Sequence, residues 1–247
     1  MQRVLYSKSS LVVGITALFL ASAAGAQDIS ITLGDSTSLT ARSLQLIALI
    51  TILSLAPGIA IMITCFPFMV TVLSILRQGL GLQQSPPNML IVSLALFLTW
   101  FVMEPVFLQA WSEAITPLLE DQLTLNQAFQ KGIKPFHGFM LNRLDPDTFY
   151  ALASLRPEAE ELFLDPDAPL SVLVPSFMLS EIARAFQVGF LIFLPFLIID
   201  LVVAAVLMSM GMMMVPPALV SLPFKLAFFV VADGWGLIAG GLVKSYF

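Results

Sequence analysis

Apolar residues run through this chain in four long blocks, 44–76, 89–111, 186–215 and 218–243, with a polar stretch between the second and third. A tight link, RQGLGLQQSPPN at 77–88, joins the first two blocks, and Pro216 with Pro217 joins the last two. The pattern predicts two helical hairpins flanking a polar middle. Hydropathy alone draws four membrane spans. The first and third blocks are too long for simple spans: a helix rises about 1.5 Å per residue, so the first alone would extend about 50 Å against a hydrocarbon core of about 30 Å. Both carry helix breakers, Pro57, Gly58 and Pro67 in one and Pro195 in the other, which predict kinks. Broken backbone at membrane depth is tolerated only where protein buries it or where it lines a cavity. Many faces of these blocks are therefore expected to meet protein rather than lipid.

The polar middle, 112–175, collects the acidic charge: Glu113, Glu120, Asp121, Asp145, Asp147, Glu158, Glu160, Glu161, Asp165 and Asp167, offset in part by Lys131, Lys134, Arg143 and Arg156. Its local signals are helical. Thr124 followed by Gln127 fits a capping box. Asp145 before Pro146 fits an N-cap followed by proline in the first turn. Ser176 is expected to cap the helix that leads into the third block.

Composition narrows the class. The 247 residues are 58% hydrophobic and 11% charged, whereas a soluble domain carries about a quarter charged residues. The net charge of −5, with no basic run, argues against a nucleic-acid partner. A single cysteine, Cys65, excludes a disulfide within the chain, and one histidine, His137, with one distant cysteine makes a zinc site or a Ser-His-Asp triad a poor fit. The sequence also lacks the GxxxxGK[ST] phosphate loop and the HExxH motif. Residues 1–26 have the form of a cleavable export signal: Arg3 and Lys8, a short apolar run at 11–20, then Ala24-Gly25-Ala26. The expected organisation is a signal at 1–26, an N-terminal segment at 27–43, a first hairpin at 44–111, an acidic helical periplasmic region at 112–175 and a second hairpin at 176–247. The scarcity of positives in the middle and Arg77 in the first link support that orientation.

Four ionisable residues fall inside the apolar blocks: Glu104, Asp200, Lys225 and Asp233. Such residues face protein, pair with an opposite charge, line a pathway or snorkel to an interface. Asp200 and Lys225 sit on the two arms of the second hairpin at comparable but unequal depths, about 15 and 10 residues from the turn near Val215. Pairing within one hairpin, a staggered pair between neighbouring copies, and two separate interfacial charges are all compatible with that spacing. The run MSMGMMMVPP at 208–217 places Met208, Met210, Met212, Met213 and Met214 around Gly211 and ahead of two prolines. Consecutive helical residues step about 100° apart, so Met212, Met213 and Met214 cannot share one helix face. Methionine is unbranched and fills irregular gaps, which suits packing filler. It also suits a ring that closes a passage to water and reshapes around what moves through it.

Two stretches carry a resemblance: LRQGLGLQQSPPNMLIVSLALFLTWFVMEPV at 76–106, and PSFMLSEIARAFQVGFLIFLPFLIIDLVVAAVLMSMGMMMVPPALVSLPFKLAFFVVADGW at 175–235. Together they resemble the FliP family of the bacterial flagellar type III export apparatus, whose injectisome relatives form the SctR family. The resemblance implies an all-α membrane-associated protein built to assemble, in several copies with FliQ and FliR, into a helical channel that passes unfolded flagellar subunits across the inner membrane. FlhB and FlhA of the same apparatus are implied as further partners. It implies a channel seal at Met208, Met210, Met212, Met213 and Met214, and subunit contacts at Asp200, Lys225 and Glu181. No enzymatic activity and no cofactor are expected. The alternative is an ion- or proton-coupled transporter subunit using Glu104, Asp200 and Asp233 as relays. An intramembrane protease has little support, since ADGWG is no obvious paired-aspartate site.

Overall fold

The computed structural model describes residues 36–82, 86–157, 163–212 and 214–247. The expected signal at 1–26, Met213, and the acids Glu158, Glu160 and Glu161 lie outside the described residues. Every regular element among the described residues is helical. The chain divides into two compact units, Met1–Ser54 and Leu55–Phe247.

Helix α1, Ser36–Met62, runs unbroken through Pro57. The break expected at Pro57 and Gly58 instead falls at 63–65, where Thr64 Oγ1 donates to the Ile61 carbonyl at 3.1 Å. Helix α2, Phe66–Gly79, follows, with Pro67 in its first turn, where a missing N–H costs nothing. Every residue of α1 from Arg42 to Met62 is exposed. By contrast, α2 buries Phe68, Met69, Val72, Leu73 and Leu76. Their spacing of three and four residues forms one apolar stripe.

The second block forms α3, Asn88–Ala110, which passes without a break into a π-helical turn, Trp111–Ile115, and the short α4, Thr116–Leu119. Pro117 sits in the first turn of α4. A wider turn just before a proline absorbs the lost i→i−4 bond. In the polar middle, α5 is Leu125–Arg143 and α6 is Pro146–Ala153. Both expected caps form. Thr124 and Gln127 make a reciprocal capping box, and the Asp145 side chain accepts from the Thr148 N–H at 3.2 Å.

The third block departs most from expectation. A single helix, α7, runs over Leu170–Ser209 with Pro175 and Pro195 inside it, so the chain is not broken at Pro195. Ser176 is not a cap. The helix begins at Leu170 behind Pro169, and the buried Ser176 Oγ donates to the Val172 carbonyl at 2.7 Å. Neighbouring helices and serine side chains help a helix carry internal prolines. The fourth block is two helices, α8 (Pro217–Val231) and α9 (Gly234–Lys244), bent by 62°. The bend centres on Asp233, which adopts left-handed backbone with φ 48°, a conformation that Asp tolerates better than most side chains.

Two cores organise the Leu55–Phe247 unit. The larger sets α2 against α3 and α7, with Phe196, Phe229 and Leu242 closing it. Helices α2 and α7 approach closely at Gly189, where any Cβ would collide with the Ile75 side chain. The smaller core joins α5, α6 and the first turns of α7 through Met140, Phe149, Leu173 and Phe177. Each fully buried Leu, Met or Phe contributes about 1.5–3 kcal/mol relative to exposure, so these two clusters hold the unit together.

Candidate functional site

Three features fall on α7 or at its ends: a methionine turn and two polar clusters. The turn follows α7. Gly211 takes φ +75°, the Met212 N–H donates to the Leu207 carbonyl at 2.9 Å, and α8 starts behind Pro216. The methionines point outward. Met208 is 61% exposed, Met210 66%, Met212 41% and Met214 98%, so none of these four is filler for the core of its own chain.

One polar cluster lies farther up the α7–α8 hairpin. Lys225 Nζ donates to Asp200 Oδ2 at 2.6 Å and to the Gly79 carbonyl at 3.1 Å. Ser221 Oγ donates to Asp200 Oδ1 at 2.5 Å. The Gly79 carbonyl ends α2, where the helix dipole favours a cation. The lysine thus ties three helices together. Its side chain is 6% exposed, while that of Asp200 is 37% exposed. Within the single chain the two charges pair across one hairpin.

The other cluster gathers at Glu181. Arg143 Nε donates to Glu181 Oε1 at 3.1 Å, and the Tyr246 hydroxyl donates to Glu181 Oε2. Arg143 Nη1 donates to the Ser245 carbonyl at 2.6 Å, and its guanidinium lies 3.8 Å from the Tyr246 ring centroid. Phe139 stacks on the same ring and Phe68 meets it edge-on. Nearby, the Asp145 N–H donates to Ser180 Oγ at 3.0 Å. Burial, reinforced by the Glu181 carboxylate, pushes the Tyr246 phenol well above its usual range. Burial likewise pushes the Cys65 thiol up to about 12. Glu181 is fully buried with partners from its own chain.

Sequence reasoning singled out Asp200, Lys225 and Glu181 but missed Ser221, Arg143 and Tyr246. Ser221 lies one helical turn before Lys225, and that spacing is a usable signal. Nothing local marks Tyr246 as a partner of Glu181. Glu104 is exposed on α3 and Asp233 is exposed at the α8–α9 bend, so the three acids of the relay alternative stand on three different parts of the fold. The described residues hold no group of three or more His, Cys, Asp or Glu side chains that would bind a metal ion.

Long apolar helices define the class. Three helices are long and apolar enough to cross a membrane, Arg42–Met62, Asn88–Leu119 and Leu170–Ser209, and the bent α8–α9 pair is a fourth candidate. This is an all-α membrane protein. The model of the FliP family matches residues 49–242. The Flagellar biosynthetic protein FliP of Caulobacter vibrioides is 50% identical over 240 residues, covering 96% of this chain and 89% of that protein. The proteins of the same name from Agrobacterium fabrum and Bacillus subtilis are 48% and 47% identical, covering 85% and 83% of this chain and 86% and 92% of their own lengths. The chain belongs to the FliP family.

Proposed function

We propose that this protein is a non-enzymatic, pore-forming core subunit of the flagellar type III protein export gate. In this reading several copies assemble with FliQ and FliR beside FlhB and FlhA, in the bacterial inner membrane, with much of the chain on the periplasmic side. Unfolded flagellar subunits pass through the assembled channel, and the methionine turn seals it. The observation that carries the proposal is the outward projection of Met208, Met210, Met212 and Met214 from a glycine-hinged turn between two apolar helices. Pliable apolar side chains left bare by their own chain suit a constriction that excludes water and yields to a passing polypeptide. The relay alternative is weakened by Asp200, whose carboxylate is held by Lys225 and Ser221.

Ion leakage through the assembled complex tests the seal, comparing the parent with Met212→Ala, Met213→Ala and Met214→Ala combined and with assembly followed by native mass. Leakage is expected to rise with assembly intact. Unchanged leakage in an intact assembly would move the seal elsewhere.

A further inference from the structure

Six ionisable residues lie within the three candidate spans: Arg42, Glu104, Glu113, Glu181, Arg184 and Asp200. Glu181 and Asp200 are ion-paired, and Glu113 accepts from Gln109 at 2.8 Å. Arg42 stands at the very end of its span, where a long side chain reaches the interface. That leaves Glu104 and Arg184, which have neither an ion-pair nor a hydrogen-bond partner among the described residues.

Their surroundings are alike. Glu104 sits in the middle of an exposed stripe on α3, with Phe97, Trp100, Phe101 and Leu108 one or two turns away at 75%, 61%, 58% and 63% exposure. Arg184 is half-buried on α7. It lies on the edge of an exposed face that carries Phe190 at 62% and Leu191 at 65%. An exposed apolar surface offers neither charge a partner. The depths also agree. Glu104 precedes Leu119, the end of its span nearer the polar middle, by about 15 residues, and Arg184 follows Leu170, the corresponding end of its own, by about 14, or roughly 22 and 21 Å of helix.

The charge complementarity points to a heterologous contact between copies, in which the Glu104 face of α3 on one chain packs against the Arg184 face of α7 on the next, pairing the two charges. The assignment rests on the multi-copy reading above and names the surfaces that join the copies. Two different faces meeting head to tail generate a ring or a helix rather than a two-fold dimer. The apolar residues around each charge exclude water from the pair, and the pair fixes the register of one helix on the other.

Co-expression of full-length chains carrying Glu104→Cys and Arg184→Cys, followed by mild oxidation, tests the contact directly. The native Cys65 is fully buried and adds little background. A cross-linked two-chain band is expected from the mixture and not from either variant alone. In parallel, Glu104→Arg and Arg184→Glu are each expected to lower the multi-copy fraction by about tenfold or more, with the double swap returning to within about twofold of the parent. A parent of multi-copy native mass with no mixed band, or an equal band from Glu104→Cys alone, overturns the pairing and leaves the multi-copy reading standing. A parent of single-chain mass overturns both.

Discussion

The Glu181 and Asp200 clusters use nearly the same chemistry, a carboxylate held by a cation and a hydroxyl, yet they differ in how wet they are. Glu181 is fully buried, and its partners come from the end of α5 and from the residues after α9. Asp200 keeps 37% of its side chain exposed, although Lys225 is almost covered. A carboxylate sealed on all sides depends wholly on its protein partners. One open on one side retains water as a fallback and has room for a further donor. The first is therefore a structural tie, and the second is an ion pair with a free edge.

Removing the charge of Glu181 is the strongest way to test that contrast. Glu181→Ala leaves the Arg143 guanidinium buried beside a cavity, a change that costs about 3–5 kcal/mol when one partner of a buried pair is removed. A fall in the midpoint of thermal or denaturant unfolding of the purified protein would measure it. Lys225→Met is expected to cost less, about 1–3 kcal/mol, because Asp200 can hydrate while the Gly79 carbonyl loses a donor. Equal losses from the two changes would erase the distinction. Tyr246→Phe is the narrowest test. It keeps the ring stacked on Phe139 and under Arg143 and removes only the hydrogen bond donated to the buried carboxylate, for about 1.5–2 kcal/mol in the same unfolding measurement.

Sequence reading succeeded where the physics is local. Thr124 and Gln127 cap each other within one turn, and the Asp145 side chain accepts from Thr148 three residues on, so their signals sit side by side in the chain. Pairing between Asp200 and Lys225 was one of several readings because 25 residues and a turn separate them. The Glu181 cluster spans 38 residues to Arg143 and 65 to Tyr246, and no local pattern announces such a meeting. Proline misled in the other direction. Pro57 and Pro195 look like breaks but lie inside α1 and α7, and long apolar helices tolerate internal prolines where the freed backbone groups are satisfied again. Reading the third block as starting at 186 also hid Arg184, which the full extent of α7 places inside a candidate span.

Hydropathy likewise drew α1 and α2 as one block, although they ask different things of their residues. The buried positions of α2 are each addressed to a particular neighbour: Leu76 cannot trade places with Ser74 without moving the apolar stripe. From Leu46 to Met62 the exposed surface of α1 is mostly apolar on every side, and a Cβ at Gly58 would meet nothing within 4 Å. Within this chain, α1 therefore specifies length and oiliness rather than order. Its letters can be permuted with little loss of meaning, whereas those of α2 are spelled.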